Sequence, residues 1–401
     1  MDQYANRQTA IARKPNTLTL VLCAAVSPMA INIFVPSMPA MAGEFGVPYA
    51  TIQLGMSLYL AMTALLTLIA GPLSDHYGRR PVIIGGFALF LAGVVLSLMA
   101  ADITLFLTGR IIQAASASGM VLSRAIVRDV YERDEAASMI GYVTMGMSVS
   151  PMLGPALGGV LDDIYGWRAS FLLLGTLGAV ALLVTMQRLP ETNQTRGRPL
   201  SAQLHAYRIL LTSPAYWVFA GTGSLAAAIF FGFLGGGPAI ASNHLSMSAS
   251  AYGLWFAACA AGYMFGNFIA GRFSRQWGIA RMILAGALIA LGGAVMPGIL
   301  LGMGLQLPLA LFGPTFFIGM GNGMTIPNAT AGAVSVKPDA AGAASGLMGS
   351  LQVGTGAIAS VICSLAAGDG THVVTFGLWL AGLGLAGLAI ALAAVRLARD
   401  L

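Results

Sequence analysis

Long apolar runs separated by short polar or charged segments recur along the whole chain. They do not alternate with period two, so the pattern predicts helices and not strands. A bilayer core takes about 20 apolar residues per helix. Twelve stretches meet that need: 17–42, 48–71, 81–101, 103–127, 137–161, 168–188, 215–239, 250–271, 280–302, 306–330, 341–366 and 372–396. A helix satisfies its own backbone groups in lipid, which favours a bundle over a barrel. The longest polar connection, 189–213, is rich in Arg, Thr, Gln and Pro and lies near the midpoint. It reads as a linker on the side of both termini, joining two six-helix halves, 1–188 and 214–401. The expected fold class is an all-α membrane protein with twelve transmembrane helices in two pseudo-symmetric halves.

Composition strengthens this picture. Of 401 residues, 57% are hydrophobic and only 8% charged, against about 25% charged in a soluble domain. A soluble enzyme, a disordered chain and a nucleic-acid-binding protein are all disfavoured. The net charge of +6 reflects basic loops, since Lys and Arg collect on the cytoplasmic side of membrane proteins. With the N-terminus inside, 18 of the 20 Lys and Arg residues fall on that side; Arg168 falls outside and Arg110 inside a span. Both termini are therefore expected to be cytoplasmic. The first apolar stretch lacks a short core followed by a small-residue cleavage site, so it is expected to be retained. Cys23, Cys259 and Cys363 each sit in apolar runs with no metal spacing and read as buried free thiols. The four histidines are scattered near loops, and no metal site is expected. Gly235-Gly236-Gly237 matches no phosphate loop, so ATP coupling within this chain is not expected.

An internal echo supports two halves. Gly71, Ser74 and Gly78 recur as Gly271, Ser274 and Gly278, two hundred residues later and at the corresponding loop of each half. Duplication is the simplest account. Asp75 and Arg79 stand four apart, a spacing that lets them pair on a continued helix. Asp75 also lies level with the start of the eleventh helix, whose positive end favours an anion.

Intramembrane charge is costly and carries a functional expectation. Arg110 lies about 10–12 Å along its helix from Asp102, too deep to reach the headgroups easily. Gln113, three residues on, shares its face. Both are expected to point into a central cavity. Two roles stay open for Arg110: substrate orientation or proton coupling, and a hydrogen-bond hub bridging helices. All 14 acidic residues fall at helix ends or in loops. Tyr59 and Gln352 join Asn32, Arg110 and Gln113 as the cavity candidates, because polar side chains avoid lipid. Met and aromatic side chains around them can re-pack against different ligands.

The string Gly71-Pro72-Leu73-Ser74-Asp75-His76-Tyr77-Gly78-Arg79-Arg80-Pro81 resembles motif A of the major facilitator superfamily, at the same loop. Arg110-Ile111-Ile112-Gln113-Ala114 is similar to its motif B. Gly146 to Gly159, with Pro151, Gly154, Pro155, Gly158 and Gly159, is similar to the antiporter motif C. Trp167-Arg168-Ala169-Ser170-Phe171 and Pro190-Glu191-Thr192 sit where drug exporters carry similar strings. The chain looks closest to the drug:proton antiporters of the bicyclomycin- and chloramphenicol-resistance branch.

That resemblance implies several roles. Gly71, Asp75, Arg79 and Asp129 would form a charge latch between the halves in the outward-facing state. Pro151, Gly154, Pro155 and Gly158 would form a gating helix. Gly154 and Gly158 are expected to pack on a face of Gly262, Gly266 and Ala270 and close the outer side. It further implies export of small amphipathic compounds from a bacterial inner membrane by a functional monomer. The coupling ion would be the proton, with no other cofactor and no nucleic-acid partner.

One position departs from the pattern. Relatives carry an aspartate in the first helix where this chain has Asn32, within Ala30-Ile31-Asn32-Ile33-Phe34-Val35-Pro36. Asn matches Asp in shape but cannot titrate. Three explanations stay open: protons couple elsewhere, the protein is a facilitator or uses another gradient, or Asn32 is an introduced replacement. A metabolite exporter, a membrane enzyme and a channel are the rival readings. The enzyme would need a clustered catalytic or metal constellation, and the sequence offers none.

Overall fold

The computed structural model describes residues 15–131, 133–193, 207–337 and 340–397. The long apolar runs become helices: α1 (Thr17–Phe45), α2 (Tyr49–Tyr77), α3 (Arg79–Leu98), α4 (Ile103–Val130), α5 (Arg133–Tyr165), α6 (Arg168–Arg188), α7 (Pro214–His244), α8 (Ala249–Trp277), α9 (Ile279–Gly302), α10 (Pro308–Ser335), α11 (Ala341–Ala367) and α12 (Val373–Leu397). Among the described residues, eleven of these are long and apolar enough to cross a membrane. The twelfth crossing expected from the sequence is α5. It is uncharged from Ala136 to Leu161, but its Gly, Pro and Ser residues dilute its apolar character. Most of the 189–213 linker lies outside the described residues.

Local chemistry sets the breaks. In α1, Pro36 cannot donate to the ladder, and a 3-10 turn over Val35–Ser37 separates Thr17–Asn32 from Met38–Phe45. In α4, a 3-10 turn covers Ala114–Ser116. Gly78 closes α2 at φ 105° and Gly278 closes α8 at φ 80°, with ψ of 154° and 155°. Only glycine adopts such a backbone without strain, so the repeated glycine encodes one repeated corner.

The repeat extends into the helices. A Cβ added at Gly86 or Gly93 of α3 would lie under 3 Å from α4 atoms, and one at Gly286 or Gly293 of α9 would lie under 3 Å from α10 atoms. Small residues allow this backbone approach, which is the main source of helix association in lipid. Aromatic rings repeat as well. Phe34, Phe106 and Phe171 pack together from α1, α4 and α6, with centroids 5.6–6.3 Å apart. Phe233, Phe312 and Phe376 do the same from α7, α10 and α12; Phe233 lies 6.0 Å from Phe312 and 6.3 Å from Phe376.

The two six-helix groups meet along α2 with α11 and α5 with α8. Hydrogen bonds join them: Tyr49 Oη donates to Gly235 O at 2.9 Å, Ser57 and Ser360 hydroxyls lie 2.9 Å apart, Ser350 Oγ donates to Ala64 O at 2.7 Å, and Ser250 N–H donates to Asp163 Oδ2 at 3.1 Å.

Candidate functional site

The polar centre of the first six-helix group is built around Arg110, which α4 places two turns inside the bundle. Its side chain is fully enclosed. Nε donates to Gly55 O of α2 at 3.1 Å, Nη2 to Ala30 O of α1 at 2.9 Å, and Nη1 to Gln113 Oε1 at 2.6 Å. The guanidinium carbon lies 4.4 Å from the Phe34 ring centroid and 4.5 Å from that of Tyr59. A guanidinium is planar and always charged, so carbonyl dipoles and ring faces here do the work of a counterion.

The network spreads from there. Gln113 Nε2 donates to Gly93 O at 3.0 Å and to Ser97 Oγ at 2.8 Å on α3. Tyr59 Oη lies 3.0 Å from Ser27 Oγ and 2.8 Å from Ser116 Oγ. Four helices, α1 to α4, are thus tied together by side chains that mostly satisfy one another. Chemically, this arrangement holds a fixed positive charge inside the helical bundle with no carboxylate ligand among the described residues.

The structure brings Arg110, Gln113 and Tyr59 together, as the sequence placed them, but it encloses them. In this conformation the guanidinium points across α1 and α2 and does not line open space. Asn32 is not brought to Arg110. It lies on the far side of α1 from Ala30 and Phe34, where its Cβ is 3.2 Å from the place a Cβ on Gly154 of α5 would take. Its Nδ2 donates to Pro28 O at 2.9 Å, and its Oδ1 is buried with no partner among the described residues. Two residues make about 200° around a helix, which is why Asn32 and the Arg110 contacts diverge. Gln352 is elsewhere too, half-buried on α11 with its Nε2 3.0 Å from where a Cβ on Gly223 of α7 would sit.

Motif A forms a second charged centre. Arg79 Nη1 lies 2.6 Å from Asp75 Oδ1, and Nε lies 3.0 Å from Asp129 Oδ2; Nη1 also reaches Ser74 Oγ. Gly71 O accepts from the Ser74 hydroxyl. The Glu191 carboxylate accepts from the backbone N–H of Arg79 at 2.9 Å and of Arg80 at 3.2 Å. It therefore caps the N-terminus of α3, where unpaired amides favour an anion. Thr192 Oγ1 donates to Asp129, and Asn193 Nδ2 to Ser74 O and Asp75 O. The Pro190-Glu191-Thr192 string thus has a physical task that spacing alone did not reveal. All these partners precede residue 194. From the second group, Gly342 of α11 approaches this end: a Cβ added there would lie 3.6 Å from Arg128 Nη1.

The expected glycine seam is corrected. Gly154 and Gly158 of α5 pack on Asn32 and Ile33 of α1, whereas Gly262 and Gly266 of α8 pack on Phe316 and Met320 of α10. The two faces do not meet. The contact between α5 and α8 lies nearer the α1–α2 end: a Cβ on Gly159 would be 2.2 Å from Ala249 O, and one on Gly253 would be 2.2 Å from Pro155 O. Pro155 of the expected set therefore faces the other half, and so does Gly159, which belongs to the motif C string but not to the expected gating set. Pro151 lies four residues before Pro155 in the same helix, and each removes a ladder donor there. At the same end of the molecule, Glu44 pairs with Arg168 at 2.5 Å and accepts from Trp167 Nε1 at 2.7 Å.

Twelve helices in two six-helix groups, the first built around a buried arginine, have the architecture of a membrane carrier. A family model described as the Major Facilitator Superfamily matches residues 20–361, and the chain belongs to that family of transporters. It is 31% identical over 358 residues to multidrug resistance protein D of Escherichia coli (strain K12), covering 87% of this chain and 88% of that protein. It is 32% identical over 323 residues to a chloramphenicol resistance protein of Pseudomonas aeruginosa, covering 78% and 73%. The fold matches a crystal structure of a bacterial homologue of the human lysosomal transporter Spinster, with a TM-score of 0.75 at 15% identity over 95% of this chain and 96% of that one.

Proposed function

We propose that this protein is a multidrug efflux transporter that exports small amphipathic compounds by alternating access. The observation that carries this reading is similarity over 87% of the chain to a multidrug resistance protein and over 78% to a chloramphenicol resistance protein. The two halves, 1–188 and 214–401, rock about a midplane site and expose it to each side in turn. The arginine-rich end, with both termini, faces the cytoplasm of a bacterial cell, and the protein works as a monomer in the inner membrane.

Arg110 supplies the fixed field of the site. Buried among carbonyls, it favours neutral or anionic substrate groups over dications. The Asp75–Arg79–Asp129 cluster, bonded within the first half, serves the latch at the cytoplasmic end by fixing the surface that meets α11, where Arg128 approaches Gly342. Proton influx drives export. Asn32 holds the place of a titratable group without being one, which favours a second reading as an uncoupled facilitator or metabolite exporter.

Reconstituted transport under an imposed pH gradient separates these readings. If protons couple through another group, the unsubstituted protein concentrates a panel of amphipathic drugs against their gradient. If it is a facilitator, it only equilibrates them, and Asn32→Asp then introduces a pH dependence. Failure to move any amphipathic drug, with sugars or amino-acid derivatives transported, overturns the drug-efflux reading.

A further inference from the structure

The α5–α8 seam ends in a contact that joins the halves through charge. Asp163, in the last turn of α5, aims its carboxylate at the N-terminus of α8. Its Oδ2 accepts from the Ser250 N–H at 3.1 Å. Ser248 caps the same helix by accepting from Ala251 N–H at 3.2 Å. The first amides of a helix have no acceptor within it, and the helix end carries a partial positive charge. A carboxylate from the other half therefore completes the cap of α8.

This happens where the backbones are closest. A Cβ on Gly159, one turn before Asp163, would lie 2.2 Å from Ala249 O and 2.9 Å from Ser250 Cα. The seam is thus tight by shape and fixed by charge-assisted hydrogen bonding of the start of α8 to the Asp163 carboxylate. Charge-assisted hydrogen bonds are roughly twice as strong as neutral ones. Tyr49 to Gly235 O is a neutral bond between the halves toward the same end.

We propose that Asp163 is a clasp: by capping α8 across the two halves it holds the α1–α2 end of the transporter closed, and its release lets that end open. The clasp rests on the alternating-access reading and adds to it the residue that sets the balance at this end. It assigns Asp163 a positioning role, with no contact to substrate. Neighbouring charges do not duplicate it. Glu44 is engaged by Arg168 and Trp167, and Asp162 turns to Ser37 of α1, within its own half.

The test uses the full chain in lipid nanodiscs. Cys23, Cys259 and Cys363 are buried, so Ala101→Cys and Gln306→Cys, both exposed loop positions of opposite halves, take spin labels selectively. Electron–electron distance measurements then report opening at this end. Asp163→Asn is expected to raise the long-distance population about tenfold, whereas Asp162→Asn leaves it unchanged. A single distance in every variant and with every substrate would sink alternating access itself. Two distances whose ratio ignores Asp163→Asn would sink the clasp alone. Hydrogen exchange on the chain without substitutions at Asp163 gives an independent readout should that variant fail to insert. The Ser250 amide, lacking an intrahelical acceptor, is expected to be protected, and free exchange there overturns the proposal.

Discussion

Arg110 poses a question of sign. Replacing it with Met removes a buried cation, whose effective desolvation cost is several kcal/mol. The same change strands three acceptors, Gly55 O, Ala30 O and Gln113 Oε1, now met at 3.1, 2.9 and 2.6 Å. Each stranded buried acceptor costs about 1–3 kcal/mol, and the Phe34 and Tyr59 ring contacts add about 1–2 kcal/mol each. The losses total roughly 5–13 kcal/mol on these ranges and exceed the relief. Arg110→Met is therefore expected to destabilise by a few kcal/mol. Arg110→Lys is expected to do no better, because one ammonium keeps the charge but cannot span three acceptors on three helices. The protein carries its own reporter for this. Its three cysteines are buried, so a thiol-reactive dye follows unfolding in detergent without any added label. Both variants should melt earlier than the parent chain. Lysine melting well above methionine would show that charge matters more than the fork of donors. Unchanged melting with abolished transport would show that Arg110 serves substrate or proton alone, and the hub reasoning would be wrong.

Three further outcomes are expected. Glu191→Ala removes the cap of α3 and should cost about 0.5–2 kcal/mol, read by the same melting assay. Asp75→Asn leaves Arg79 with Asp129 at 3.0 Å; both carboxylates are partly exposed, so stability should hardly change, while drug export falls in cells with normal amounts of inserted protein. Gly253→Ala places a Cβ 2.2 Å from Pro155 O, which forces the α5–α8 seam apart by more than about 1 Å and costs roughly 1–3 kcal/mol in the closed state; thiol accessibility of a cysteine at Ser250 should rise, and no rise would mean that the seam tolerates the methyl group.

Much of the fold was legible because lipid leaves few alternatives. A run of apolar residues long enough to span the bilayer has to be a helix, and Gly78 and Gly278 mark the same corner in both halves. The charged pair Asp75–Arg79 was equally legible, since i,i+4 geometry is local. What failed was rotation. The resemblance puts Asn32 in the aspartate's place, facing the cavity near Arg110, yet Ala30 and not Asn32 meets the guanidinium. Hydropathy in a membrane helix buried on most sides carries little information about which face points where. The glycine faces failed for the same reason: Gly154 and Gly262 were matched by composition, while each had a closer partner in its own half. A readable signal was overlooked. Gly86 and Gly93 recur as Gly286 and Gly293, at the offset already set by Gly71 and Gly271, and following it would have located the α3–α4 and α9–α10 contacts.

The duplicated scaffold and the one-sided charge together account for how such a molecule can switch. The glycine contacts and the phenylalanine triads are matched between halves, so each half has the packing of a rigid unit. The Arg110 network stiffens one half further without touching the other. Between the halves the bonding is sparse by comparison, and the four named hydrogen bonds contribute about 2–6 kcal/mol in all. Moving a two-state equilibrium from 1:99 to 99:1 takes about 5.5 kcal/mol. A ligand or proton that favours one state by a few kcal/mol can therefore reverse the preference without unpacking either half. Were the inter-half seam as densely bonded as the Arg110 centre, no small substrate could supply the difference.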